Sequence, residues 1–172
     1  MPQNLELKAR IRSLKKAEAT ATGIGARFAG DLRQVDTYFR VRRGRLKLRE
    51  VDSKKGELIY YRRAHKRGAR LSRYVIYPVG RVREAKRLLC SFLQPTVVVR
   101  KNRRLYLCKN ARIHLDSVRG LGHFVEFEVI VRKGRAQAAG LMEYLRTVFK
   151  IDAREIEGGS YGDLLRRKKV LA

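Results

Sequence analysis

The stretch Asn4-Leu5-Glu6-Leu7-Lys8, near the start of the chain, alternates polar and apolar side chains and is the most informative part of the sequence. Successive residues of a β-strand face opposite sides, so Asn4, Glu6 and Lys8 share one face and the two leucines share the other. A carboxylate and an ammonium group on one polar face suggest a site for a metal-bound anion. The stretch therefore predicts a strand that contributes its polar face to a binding site.

The same alternation recurs further along the chain. In one later stretch the charged residues are Arg45, Lys47 and Arg49, and in another they are Glu126 and Glu128, with leucine, valine or phenylalanine between them. Each stretch predicts a strand with one charged and one apolar face. Charged faces of both signs thus recur on several strands of the predicted sheet.

The length and composition of the chain are typical of a globular protein. With 172 residues and 44% hydrophobic content, we expect one domain, residues 1–172, with a sizeable core. No apolar run is long enough to span a bilayer, and the charged strand pattern at the start leaves no room for a signal peptide. We therefore expect a cytoplasmic protein without membrane association. Cys90 and Cys108 have neither the number nor the spacing of a disulfide framework or a zinc site.

The net charge of the chain is strongly positive. It amounts to +26, from 42 lysine and arginine residues against 16 acidic residues. Such an excess predicts a polyanionic partner, and nucleic acid is the default candidate because many cations give salt-dependent, sequence-independent affinity for phosphate backbones. Binding to nucleic acid or polyphosphate is therefore expected, at least as a non-specific property.

After the first strand, periodicity and turn residues predict a helix, a group of strands, a second helix, a second group of strands and two final helices. The predicted strands are 26–40, 45–51, 57–63, 71–77, 96–102, 104–109, 112–118 and 123–132. The predicted helices are 13–22, 82–92, 135–149 and 161–167, with Ser13 and Ser160 as N-caps of the first and last. Short turns between the strands predict antiparallel hairpins.

Two architectures fit these elements. In an antiparallel sandwich the charged faces would simply be solvated. In a barrel of about eight strands they would line a lumen, and the apolar faces would pack against outer helices. The pattern alone leaves both possibilities open.

Several short motifs follow one another in order along nearly the whole chain. They are Asn4-x-Glu6-x-Lys8, Gln34 to Phe39, Gly44 to Glu50, Glu57 to Arg63, Val99 to Arg103, His114 to Gly122, Phe124 to Glu128 and Ser160 to Leu165. With these motifs in this order, the chain resembles the CYTH or triphosphate tunnel metalloenzyme superfamily, and within it the bacterial class IV adenylyl cyclases. The opening Glu-x-Glu-x-Lys signature of the family departs here at its first position, which is Asn4.

The resemblance implies an α+β fold: a closed, eight-stranded antiparallel β-barrel with helices packed outside and a triphosphate held in its tunnel. The implied phosphate contacts are Lys8, Arg49, Arg63, Lys101 and Arg103. Strand parity adds Arg45 and Lys47 to this set. Arginine can grip phosphate oxygens through a bidentate fork, whereas lysine acts as a compact point charge.

The resemblance also implies a divalent metal, Mg²⁺ or Mn²⁺, as cofactor. Its implied ligands are Glu6, Glu126 and Glu128, with Asp116 as a further acidic wall residue. Mg²⁺ prefers hard oxygen donors and is usually held by one or two carboxylates together with substrate phosphates and water. The amide of Asn4 can coordinate through its oxygen but carries no formal charge, so we expect a weaker metal site at this position.

Three functions follow as hypotheses. The first is a metal-dependent enzyme of the class IV adenylyl cyclase type, which converts ATP to cyclic AMP and pyrophosphate; the sequence assigns no general base for this reaction. The second is a triphosphatase that hydrolyses inorganic, nucleoside or thiamine triphosphate in the same tunnel, because a fold does not fix a reaction. The third is a non-catalytic protein that binds RNA or polyphosphate, which the net charge and Asn4 favour.

Overall fold

The computed structural model of the chain describes residues 3–53, 55–63, 68–132 and 134–170. Within these ranges the chain forms eight strands and four α-helices, with a short 3₁₀ helix at Ala153–Glu155. The strands are β1 (Gln3–Arg10), β2 (Arg27–Phe39), β3 (Arg45–Val51), β4 (Lys55–Arg63), β5 (Arg70–Val79), β6 (Pro95–Cys108), β7 (Ala111–Val118) and β8 (Gly122–Ile130). The helices are α1 (Leu14–Gly23), α2 (Val82–Phe92), α3 (Arg135–Val148) and α4 (Tyr161–Val170).

The eight strands close into a barrel in which every neighbouring pair is antiparallel. Their order around the barrel is β1-β5-β4-β3-β2-β6-β7-β8, and β1 closes the ring by pairing with both β5 and β8. The barrel is thus confirmed and the sandwich is excluded. The charged strand faces lie inside, because that is where the alternating polar positions of all eight strands converge.

One predicted boundary inside the sheet was wrong. The two strands expected at 96–102 and 104–109 form a single strand, β6, of 14 residues. Strand β2 pairs with it along its whole length, from Arg27 opposite Leu107 to Phe39 opposite Pro95, so no turn can interrupt it. The basic residues around Arg103, which resemble a turn in the sequence, instead alternate between the interior and the outside of the barrel.

Apolar faces on the outside of the barrel pack against three helices. Strands β1, β7 and β8 form the main core with α1 and α3, where Ile113, Phe127 and Leu145 are fully buried. A smaller cluster joins β2 and β3 to α2 through Leu48 and Leu89. Among the residues that the structure describes, no helix is long and apolar enough to cross a membrane.

Both predicted serine caps are confirmed. Ser13 precedes α1, and its side-chain oxygen accepts a hydrogen bond from the backbone N–H of Lys16 at 3.2 Å. Ser160 precedes α4, where its Oγ accepts from the N–H of Asp163 at 3.1 Å and its own N–H donates to the Asp163 carboxylate at 2.9 Å. These bonds satisfy backbone groups that a helix leaves unpaired at its first turn, and so they fix where each helix begins.

Helix α4 closes one end of the barrel. The interior positions at this end are apolar, and they form a buried cluster with Tyr161 and Leu164 of α4. The rings of Phe124 and Tyr161 meet edge to face with centroids 5.0 Å apart. The helix lies so close that a Cβ atom on Gly162 would be 3.1 Å from Val97 of the barrel. The sequence predicted this helix but not its position across the barrel end.

Candidate active site

A cavity of about 590 Å³ occupies the barrel interior. Its size falls within the range of about 300–1,000 Å³ that is typical of small-molecule sites. The lining residues nearest α4, such as Tyr38 and Tyr161, are buried, whereas those at the other end, such as Val51 and Leu32, are partly exposed. The cavity is therefore a tunnel with one end closed by α4 and one open mouth.

Basic side chains fill the middle of this tunnel. Strand parity brings them to the interior from three strands, and all of them line the cavity: Lys8, Lys47, Arg49, Lys101 and Arg103. Three carboxylates, Asp36, Asp116 and Glu126, lie among them. The five cations exceed these three acids by two charges, and an anionic ligand can neutralise that excess.

Asp36 of β2 is the centre of one ion-pair cluster. Its carboxylate accepts a hydrogen bond from Lys47 Nζ at 2.9 Å and another from Arg49 Nε at 2.8 Å, and Lys101 Nζ lies 3.9 Å away. Burial opposes ionisation of this carboxyl, but the charges of Arg49, Lys47 and Lys101 outweigh it and hold its pKa well below the usual range. Asp36 therefore stays negatively charged and positions the cations around it.

Asp116 of β7 is the centre of a second cluster. Arg103 donates to its two oxygens, from Nε at 2.7 Å and from Nη2 at 2.6 Å, which is the bidentate geometry typical of strong arginine–carboxylate pairs. The hydroxyl of Tyr161 donates to the same carboxylate at 2.7 Å. Lys101 Nζ lies 3.8 Å from Asp116, so this lysine links the two clusters.

Glu126 of β8 connects Lys8 to the second cluster. Lys8 Nζ lies 3.1 Å from one of its oxygens, and Arg103 Nη2 donates to the other at 2.9 Å. Burial would raise the pKa of Glu126, but the charges of Lys8 and Arg103 together lower it well below its usual value. Lys8 also lies 3.9 Å above the centre of the Tyr161 ring. The closed end of the tunnel thus combines cations with a buried tyrosine.

Two further carboxylates lie nearer the mouth. Glu6 and Glu128 are directly opposite each other in the β1–β8 ladder, and both line the cavity. Glu128 accepts hydrogen bonds from the Asn4 amide and, at 3.2 Å, from Arg112. Within the described ranges, no group of three or more histidine, cysteine or acidic residues is placed to hold a metal ion by itself.

The donor set near Glu6 and Glu128 nevertheless fits a divalent cation that is shared with a phosphate ligand. Asn4, at the position where the family signature has a carboxylate, is fully buried. Its side-chain oxygen has no hydrogen-bond partner among the described residues. Two facing carboxylates and an unpaired amide oxygen are hard donors, and Mg²⁺ usually takes its remaining ligands from phosphate and water.

The structure brings most of the predicted site residues together, with two exceptions. Arg45 lies beyond the closed end, where its Nη2 is 3.0 Å from the Asp163 carboxylate, and it lines a separate cavity. Arg63 belongs to β4, but its side chain is outside what the structure describes. The roles of both residues in phosphate binding stay predictions.

Two residues of the tunnel wall, Asp36 and Tyr161, were not predicted from the sequence. Asp36 lies within a quoted motif, and its parity with Gln34 and Tyr38 was the signal that could have identified it. Tyr161 could not have been found, because only the position of α4 brings it to the tunnel. His114 is buried beside Glu126, and burial, followed by the charge of Arg103, lowers its pKa.

The ionisation of Lys47 gives a testable pH dependence. Burial, followed by the neighbouring charge of Arg49, lowers the pKa of Lys47 to about 8. An anion binds the charged form, so affinity is present below this pKa and is lost as the pH rises through it. Between pH 7 and pH 9 the charged fraction of Lys47 falls about tenfold. We therefore expect tripolyphosphate to bind about tenfold more weakly at pH 9 than at pH 7, a difference of about 1.4 kcal/mol.

Calorimetric titration across this pH range measures the effect, and Lys47→Arg is the matched control. Arginine remains charged at every pH used, so the variant should lose the part of the decline that Lys47 causes. Changes in the protonation of tripolyphosphate itself affect the measurements on both proteins equally. An identical pH profile for the wild type and the variant would contradict the assignment of Lys47.

The fold and the interior together define a class: a closed antiparallel barrel that encloses a buried, cation-rich tunnel. The chain belongs to the CYTH family, because the model of the CYTH domain matches residues 2–154. A comparison with curated protein sequences gave no significant match.

Solved structures share this fold. The PH1012 protein from Pyrococcus horikoshii OT3 has a TM-score of 0.84 at 20% identity, over 94% of this chain and 98% of that chain. A candidate adenylate cyclase from Vibrio parahaemolyticus has a TM-score of 0.76 at 18% identity, over 95% and 97% of the two chains. A candidate adenylyl cyclase from Hippeastrum, described as having a dominant triphosphatase activity, has a TM-score of 0.71 at 14% identity, over 98% and 96%. At these identities the likeness establishes the fold alone.

Proposed function

We propose that the chain is a metal-dependent enzyme that acts on a nucleoside triphosphate held in the tunnel, with ATP cyclisation to cyclic AMP and pyrophosphate as its reaction. The observation that carries this proposal is the buried cationic layer around Asp36 and Asp116. A triphosphate carries about four negative charges, and the guanidinium and ammonium groups of this layer can pair with its oxygens.

The closed end determines how such a substrate would enter. Because α4 blocks one end, the terminal phosphate would lie deepest, near Lys8 and Tyr161, and the nucleoside would face the mouth. The mouth offers apolar side chains to a base, among them Leu32, Ile76 and Leu105. Apolar side chains at the mouth suit a base and the charged interior suits the phosphates, since these parts of a nucleotide differ in polarity.

In the cyclisation reaction the ribose 3′ hydroxyl attacks the α-phosphorus. A new O–P bond forms, the bond to the β-phosphate oxygen breaks, and pyrophosphate leaves. The chain contributes fixed positive charge: Arg49, Lys101 and Arg103 are held in place by their carboxylate partners and can stabilise charge that develops on the leaving group. No proton acceptor is assigned.

Glu6 and Glu128, with the oxygen of Asn4, would hold the divalent cation beside the phosphates. A bound Mg²⁺ or Mn²⁺ lowers the pKa of the attacking hydroxyl and neutralises phosphate charge. Two carboxylates suffice for such a shared ion.

Triphosphate hydrolysis is the second candidate. In the proposed orientation the terminal phosphorus lies deepest in the tunnel, beside the densest group of cations, which favours attack at that position. The activity described for the Hippeastrum protein is of this type. Water would then replace the ribose hydroxyl as nucleophile, and the same basic residues would bind the substrate.

Product analysis separates the two reactions. The purified protein is incubated with ATP, and separately with inorganic triphosphate, in the presence of Mg²⁺ or Mn²⁺, and the products are resolved by anion-exchange chromatography. Glu126→Gln is the control, because it keeps the shape of the side chain but removes a charge that pairs with Lys8 and Arg103.

Cyclic AMP and pyrophosphate, both reduced at least tenfold by Glu126→Gln, are the expected products. Orthophosphate without cyclic AMP would transfer the assignment to a triphosphatase. No turnover of either substrate, together with tight binding, would contradict an enzymatic function and favour a binding protein.

A further inference from the structure

A second cavity, of about 620 Å³, lies outside the tunnel at the end that α4 closes. Tyr38 lines both cavities and separates them, so the two spaces are back to back. The segment 40–45, the strand β4 and the helix α4 contribute its walls. We call this cavity the arginine pocket, because its charged lining residues are Arg40, Arg45, Arg62, Arg166 and a single acid, Asp163.

The one carboxylate of the arginine pocket is already engaged. Asp163 lies 3.0 Å from Arg45 Nη2 and 2.6 Å from Arg166 Nη2. It also accepts a hydrogen bond from the Ser160 hydroxyl at 2.8 Å. Arg40 and Arg62 are exposed and form no ion pair with any residue in the described ranges. The pocket therefore has an excess of three positive charges.

Strand pairing increases the positive charge beside this pocket. Arg62 of β4 is directly opposite Arg73 of β5. Like charges in directly opposed positions of an antiparallel pair are destabilising, and a bound anion would remove that repulsion. The function proposed for the tunnel does not use any of these residues.

The lining of the arginine pocket indicates which anion it can bind. Guanidinium groups match the oxygens of phosphate through paired hydrogen bonds. The two aromatic residues of the lining, Tyr38 and Phe39, are 7% and 4% exposed, so they offer no free face on which a base could stack. The pocket thus offers guanidinium groups to phosphate but no free aromatic face to a base.

We propose that the arginine pocket is a second anion site, distinct from the tunnel, which binds an inorganic oligophosphate. Arg40 and Arg62 are the principal contacts, and Arg45 and Arg166 are positioned by Asp163. This inference does not depend on the reaction proposed for the tunnel.

Binding stoichiometry tests the proposal. Equilibrium dialysis with a methylene-bridged triphosphate analogue, which resists hydrolysis, is carried out in the presence of Mg²⁺ on the wild type and on two double variants. R40A/R62A removes two arginines from the pocket. R83A/R87A removes two exposed arginines from α2 and serves as a control with the same change in net charge.

The wild type and R83A/R87A are expected to bind two analogues per chain, and R40A/R62A one. Two analogues bound by R40A/R62A would overturn the proposal, and so would equal losses in both double variants, which would indicate diffuse attraction. If the wild type binds one analogue, its loss in R40A/R62A supports the pocket and contradicts the tunnel site, whereas its retention overturns the pocket.

A parallel titration with a short RNA duplex distinguishes a nucleic-acid surface from an oligophosphate site. Both double variants are expected to weaken duplex binding similarly, because the duplex responds to net charge. Selective loss of duplex binding in R40A/R62A, with two analogues still bound, would assign the pocket to nucleic acid and overturn the proposal.

Discussion

Replacing Arg103 by alanine is expected to lower the free energy of unfolding by about 3–5 kcal/mol and to abolish binding of triphosphate in the tunnel. Arg103 is 5% exposed and forms hydrogen bonds with both Asp116 and Glu126. Its removal leaves buried carboxylates short of a partner, which is strongly destabilising. Urea unfolding measures the first effect, and calorimetric titration at a temperature where the variant stays folded measures the second.

Two variants show whether the position or the charge of Arg103 matters. Arg104→Ala changes the next residue, which faces outward and pairs with Glu18 and Asp31 on the surface. This variant should lose less than about 1 kcal/mol of stability and keep its triphosphate affinity. Arg103→Lys keeps the charge but lacks the bidentate fork, so it should bind triphosphate weakly. Equal behaviour of Arg103→Ala and Arg104→Ala would contradict the site.

Replacing Asp36 by asparagine is expected to lower the melting temperature strongly, and added triphosphate should restore much of the loss. The substitution keeps the shape of the side chain but removes the negative charge around which Lys47, Arg49 and Lys101 are arranged. Unpaired buried cations destabilise the fold by about 3–5 kcal/mol. A phosphate ligand supplies the missing negative charge, so the ligand should stabilise the variant more than the wild type.

Thermal unfolding with and without tripolyphosphate measures this difference. The control is Asp31→Asn, since Asp31 is exposed and pairs with Arg104 at the surface. The control should resemble the wild type with and without ligand. An equal ligand-induced shift in Asp36→Asn and in the wild type would show that the ligand does not contact this cluster.

Asp36 also makes the stability of the fold depend on pH. The pKa of Asp36 is lower in the folded protein than its ordinary value. Its charge therefore stabilises the fold above the pKa of the unfolded chain, and this contribution is lost as the pH falls through the folded value. Acid should therefore destabilise the wild type more than Asp36→Asn.

Much of the fold could be predicted because one physical pattern repeats on many strands. Alternating charged and apolar residues, as in β1, β3 and β8, place charge on one face, and closure into a barrel puts all these faces inside. The continuity of β6 could not be predicted. Its basic centre looks like a solvated turn until the length of β2, which pairs with it, is known.

The candidate site was predictable only in part, because some of its residues come together only through tertiary packing. The resemblance to family motifs identified Arg49, Lys101 and Arg103, and strand parity added Lys47, because motifs and parity are local properties of the sequence. The position of α4 is a tertiary property, so the closed end and Tyr161 were missed. Arg45 has the parity of its neighbours, but Asp163 of α4 holds it on the far side of Tyr38.

Locating the phosphates of a bound nucleotide tests the proposed tunnel site most directly. We would determine a crystal structure with a methylene-bridged ATP analogue and Mn²⁺, and locate the three phosphorus atoms and the metal from their density. We expect phosphates between Lys101 and Arg103, the terminal phosphate toward Tyr161, and metal beside Glu6 and Glu128. Phosphates bound only outside the barrel, or a base at the closed end, would contradict the proposed site.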